Sequence, residues 1–91
     1  MNAARGETVV TIGETAVPLC LTLGGLAELE HVLGCGSLAD LQLRLKHLSA
    51  AELVQVLAIL VRGAGACAAV EQVAPGDAAR AVAEAFRAAL G

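Results

Sequence analysis

His31 and Cys35 stand four residues apart, a spacing that puts two ligand-type side chains on one side of a helix. Zinc needs three or four such ligands, and the remaining candidates, His47 and Cys67, are isolated and belong to no paired-cysteine motif. The ligand count therefore argues against a metal site. The same two residues could be written as base and nucleophile, but nothing nearby marks an orienting third group or an oxyanion site. The plainer reading is an exposed histidine near a helix C-terminus, where positive charge is tolerated. Glu28 and Glu30, two apart on a helix, point in different directions and form a solvated face, not an acid–base pair. Gly63-Ala64-Gly65-Ala66-Cys67 begins like a dinucleotide-binding loop. It lacks the third glycine and follows a helix, so it reads as a helix stop.

Ser37 precedes Leu38 at a helix start, loosely as the prosthetic-group serine of an acyl carrier does. Gly36 occupies the place of the acidic residue usual there, and an N-cap accounts for Ser37 sufficiently. No catalytic residue, cofactor or metal is expected, and the chain does not read as an enzyme.

The elements that carry these residues change period at Leu19–Glu30. Val17, Leu19, Leu21 and Leu23 alternate as on a half-buried strand, while Leu26, Leu29, Val32 and Leu33 recur at helical spacing. Gly24-Gly25 sits at the switch. Upstream, Thr8–Ile12 is rich in β-branched residues and Gly13-Glu14 supplies a turn, which predicts a hairpin over 7–23. Pro18 confines its strand to an edge or a bulge.

Downstream, the pattern predicts helices over 25–90. The first runs from about Gly25 to Leu33 and stops at Gly34-Cys35-Gly36. The second is capped by Ser37, with Leu38, Leu41, Leu45 and Leu48 as its seam and Leu43 off it. Ser49-Ala50-Ala51-Glu52 is a capping box for the third. Its face Leu53, Val56, Leu57, Leu60 is core-like, yet Val54, Ile59 and Val61 make it apolar nearly all round. A central helix packed on several sides explains this, and so does an exposed strip that docks a partner helix. Ala66–Ala74 predicts a short, weak helix. Asp77 then caps a last helix striped by Val82, Phe86, Ala89 and Leu90, with Arg80–Glu84 and Glu84–Arg87 paired on its outer side. The fold class is α+β, mostly helical, in a single domain over 1–91.

Composition limits the function further. The chain is 57% hydrophobic with Phe86 as its one aromatic, so Leu, Val and Ala must fill the core. At this length about 60–65% of the unfolded chain's surface can be buried, enough for a modest core. Six scattered basic residues against nine acidic ones give a net charge of −3 and no phosphate-binding patch, which argues against nucleic acid. Three cysteines in apolar or Gly/Ala-rich surroundings suit a reducing compartment. The start lacks the apolar segment of a signal peptide, and Val56–Val61 is far too short to span a bilayer. A cytoplasmic, membrane-free protein is expected.

Arg5-Gly6-Glu7, the hairpin, Leu21–Glu30, Leu60–Gly65 and the closing Ala81–Gly91 occur together in one order. That ordered set resembles the small tail-assembly proteins of the gene transfer agents of alphaproteobacteria and related tailed phages. The resemblance implies a tail assembly chaperone that binds the tape measure protein and helps recruit tail tube subunits, with a structural tail subunit as the alternative. It brings no catalytic residues, and self-association is compatible with it. Under the chaperone reading a small acidic protein rich in Leu, Val and Ala would mask the apolar stripes of the tape measure protein. Leu43, Val54, Ile59 and Val61 would be the partner-binding surface.

Overall fold

The computed structural model describes residues 7–90, so Arg5 and Gly6 of the ordered set lie outside the described residues, as does Gly91. Strands β1 (Glu7–Ile12) and β2 (Thr15–Cys20) pair antiparallel across the two-residue loop Gly13-Glu14. Helices α1 (Leu23–Leu33), α2 (Leu38–Arg44), α3 (Ala50–Gly63) and α4 (Pro75–Leu90) follow, with 3-10 turns at Leu45–His47 and Val70–Gln72. This is the expected α+β order, a hairpin and then four helices.

In a two-residue hairpin the pair that closes the loop, here Ile12 and Thr15, is a hydrogen-bonded pair. Alternation makes Val10–Val17 and Thr8–Leu19 hydrogen-bonded too, and Val9–Pro18 and Glu7–Cys20 not. Pro18 therefore sits where its nitrogen faces away from β1, and the ladder loses nothing by it. Val10, Val17 and Leu19 turn inward and are buried, while Val9 and Thr11 face out.

The strand-to-helix switch comes earlier than the glycine pair suggests. Strand β2 ends at Cys20, and Thr22 begins the helix: its hydroxyl accepts from the Gly25 N–H at 3.0 Å and its carbonyl accepts from the Leu26 N–H at 2.9 Å. A side chain that satisfies a first-turn amide fixes the start more firmly than backbone freedom does. Leu23 is consequently a helix residue, 83% exposed, and not the last member of the strand's inner face. At the other end Gly34 adopts φ 70°, with Gly34 N–H donating to His31 O and Cys35 N–H to Glu30 O. That is the Schellman arrangement, and glycine adopts its left-handed backbone without a Cβ penalty.

Helix α2 is shorter than its leucine seam predicts. The Ser37 hydroxyl caps it by accepting from the Asp40 N–H, but after Arg44 the chain tightens into the 3-10 turn. Only Leu41 of the seam is fully buried; Leu45 and Leu48 are half-buried and Leu38 is exposed. Helix α3 opens on the capping box, Ser49 and Glu52 each accepting the other's backbone N–H. It packs against β2, α1, α4 and the second 3-10 turn. Its final residue, Gly63, lies so close to β2 that a Cβ there would stand 2.2 Å from the Cys20 carbonyl oxygen.

Two local expectations about the tail of the chain are corrected. Residues 66–74 are irregular apart from the 3-10 turn Val70–Gln72 and do not form a short helix, with Val70 and Val73 buried. A segment this short gains too few helical bonds to repay nucleation, and burial of the two valines three apart selects the tighter turn. Helix α4 begins at Pro75, whose fixed φ suits a first helical position, so Asp77 lies inside the first turn and does not cap. There Asp77 takes Arg80 at 3.0 Å, and the predicted Arg80–Glu84–Arg87 ladder is not among the ion pairs of the described residues. Val82 and Phe86 are buried with Ala78, Ala81 and Ala85, whereas Ala89 is half-buried and Leu90 exposed.

The core is one cluster of Leu, Val, Ile and Ala with Phe86, and no polar side chain is buried among the described residues. Strand β1 lies against α4 and β2 against α3. No helix of the described residues is long and apolar enough to cross a membrane.

Candidate functional site

The residues considered for chemistry occupy structural places. His31 is exposed and Cys35 half-buried at the end of α1, and the described residues hold no group of three His, Cys, Asp or Glu side chains arranged for a metal. Glu28 takes Arg62 of α3 at 2.7 Å, an exposed pair that links α1 to the central helix. Gly63-Ala64-Gly65 is the stop of α3, where Ala64 and Gly65 donate to carbonyls of its last turn.

The proposed partner strip does not exist as one surface. Ile59 and Val61 are 4% and 2% exposed and belong to the core. Neighbours on several sides of α3 bury them, so the all-round apolar character of this helix reflects its central position. Val54 is half-buried against the core, and Leu43 alone of the four is exposed, at 62%. Leu43 stands on the rim of a shallow hollow with Leu33, Cys35 and Arg44.

A more enclosed site runs between the C-terminal part of α2 with the turn that follows it and α4. Gln42, Leu45, Lys46 and Leu48 form one wall of a groove of about 360 Å³, which Leu53 of α3 also lines. Ala79, Val82, Ala83 and Phe86 of α4 form the other wall. Ala79 and Ala83, four apart and both exposed, keep that wall low. Helical spacing places exposed Leu38 on the same side of α2 as Gln42 and Leu45, and exposed Leu90 on the same side of α4 as Phe86. The apolar faces therefore extend past the groove itself.

A polar clamp sets the angle of the first wall. Arg44 donates to the His47 carbonyl and to the Glu52 carboxylate, tying the end of α2 to the first turn of α3. The Ser49 N–H on Glu52, then the Arg44 charge, hold the Glu52 carboxyl below its ordinary range against a desolvation effect that raises it. The clamp brackets the segment that carries Leu45 and Leu48, which face Ala79–Phe86 in the middle of α4.

Sequence reasoning missed this groove although it named most of its walls. In the sequence Leu45 and Leu48 belong to a seam and Val82 and Phe86 to a stripe, and neither pattern marks a space between the two. The missed signal is the pair Ala79 and Ala83, whose small side chains on the Val82–Phe86 side leave the space open.

Residues 5–91 match the family described as phage tail tube protein, GTA-gp10. Neither the curated proteins nor the solved structures provide a match to the chain.

Proposed function

The chain belongs to the phage tail tube protein family of GTA-gp10, and on that premise we propose that it is a structural subunit of the tail of a gene transfer agent or phage-like particle. The family match over residues 5–91 carries this reading, because its description names the tube itself. It favours the structural alternative over the chaperone expected from the resemblance; neither a chaperone role nor the tape measure protein appears in it. The role is one of assembly through surfaces. Leu23, Leu38 and Leu43 stand exposed on the helices, the sort of apolar contact a subunit covers when it meets its neighbours.

The chaperone remains a second reading because of one observation, the open apolar groove between α2 and α4. A groove of this kind suits transient cover of a helix stripe on a tape measure protein. In that reading the contact surface is the groove, joined by exposed Leu43 and half-buried Val54, while Ile59 and Val61 are buried in the core.

Quantitative mass spectrometry of purified particles separates the two. A structural subunit is present at a fixed ratio to the other tail proteins. A chaperone is absent from particles yet co-purifies with the tape measure protein from cells that are assembling tails.

A further inference from the structure

We propose that the groove between α2 and α4 is a docking site for an amphipathic helix with acidic flanks. The inference concerns what the groove takes and holds whether or not the chain stays in the particle. Its lining is mainly apolar, with Leu45, Leu48, Val82 and Phe86 around a space that nothing among the described residues fills. Exposed Ala79 and Ala83 allow the backbone of an incoming helix to approach α4 closely, as helices packed at 8–10 Å require.

Charge identifies the occupant. Lys46 is the one charged residue in the lining, and it makes no ion pair among the described residues. Arg87 follows Ala83 by four positions, on the same side of α4, and is likewise exposed without an ion pair. Glu84 lies farther round that helix, and the nearby Glu52 and Asp77 are engaged by Arg44 and Arg80. The apolar groove is therefore bordered by an available cation on each side. A helix with a Leu-type stripe at i, i+3/i+4, i+7 and carboxylates beside it satisfies both borders. A second copy docked across a two-fold axis at this groove would instead bring Lys46 and Arg87 towards each other's or their own equivalents, a like-charge contact in either case.

The test uses two synthetic peptides about three helical turns long that share one leucine stripe, one flanked by Glu and one by Lys. Fluorescence anisotropy against the full chain is expected to show the Glu peptide binding roughly three- to tenfold tighter, with the gap narrowing in high salt. The Lys46→Glu, Arg87→Glu chain reverses that preference, and Ala83→Trp, which fills the groove from an exposed position, weakens both peptides. Equal binding of the two peptides, no binding by either, or binding lost with Leu43→Glu but kept with Ala83→Trp would overturn the proposal. So would sedimentation showing a dimer that Ala83→Trp dissolves, since the occupant would then be a second copy.

Discussion

Replacing Gly63 by alanine should destabilise the protein, although the same change favours helix in general. Gly63 closes α3 where that helix passes the end of β2, and the added Cβ would stand 2.2 Å from the Cys20 carbonyl oxygen and 3.3 Å from its carbon. Ordinary contact begins at 3.4 Å, so strand and helix must part by about 1 Å. The obstacle is backbone on a paired strand, which cannot rotate aside as a side-chain tip can. Overpacking of this kind costs about 1–3 kcal/mol. Alanine returns at most about 1 kcal/mol of helix propensity, and less at a helix end. A net loss of about 1–2 kcal/mol is expected, or roughly 5–15 °C in Tm for a domain of this size. Gly76→Ala is the matched control: it lies in the first turn of α4 with nothing within 4 Å of the new Cβ, and should be neutral or stabilising. Urea unfolding of the three proteins decides it. If Gly63→Ala is as stable as the parent at an unchanged m-value, the close crossing of α3 and β2 is not a constraint and the reasoning fails.

Ser49→Ala removes the oxygen that accepts the Glu52 N–H and should cost about 1 kcal/mol, read as a lower denaturation midpoint at constant m. Because the Glu52 carboxyl is held below its ordinary value when folded, its contribution is complete above the unfolded-state value and disappears as pH falls through the lowered folded one. The Glu52→Gln protein should therefore show a flatter decline of stability on the acid side than the parent, and identical acid-side profiles would refute the clamp. Ile59→Glu and Val61→Glu bury a charge without a partner and should prevent folding, while Leu43→Glu should leave the far-ultraviolet circular dichroism and Tm within a few degrees of the parent. A folded, soluble Ile59→Glu protein would restore the exposed strip.

Much of the fold was legible because local chemistry and hydrophobic period agreed. The Ser49–Glu52 box, the Ser37 cap and the glycine stop at Gly34 need only neighbours in sequence, and each forms as read. Errors arose where two local signals competed. At the first switch Thr22 outbid Gly24-Gly25, and at the last helix Pro75 at the first position outbid Asp77 as a cap. The burial of Ile59 and Val61 was not decidable from spacing, because a helix apolar all round has the same pattern whether proteins or solvent surround it. The groove was hidden for a related reason. Its walls come from segments more than thirty residues apart, and a gap between two apolar faces leaves no mark in either one.

The hairpin carries a direction of growth. On β2 the outward-facing backbone positions are Ala16, Pro18 and Cys20, of which Pro18 has no N–H to offer and Cys20 presents its carbonyl to Gly63. On β1 the corresponding groups of Val9 and Thr11 make no backbone hydrogen bond outside the ladder among the described residues. Extension of this sheet is thus hindered at the β2 margin, whereas Val9 and Thr11 on β1 keep backbone groups with no backbone partner among the described residues. A third strand, if one joined, would meet fewer obstacles beside β1 than beside β2, and a pair of chains joined there would leave only their two β2 margins outside.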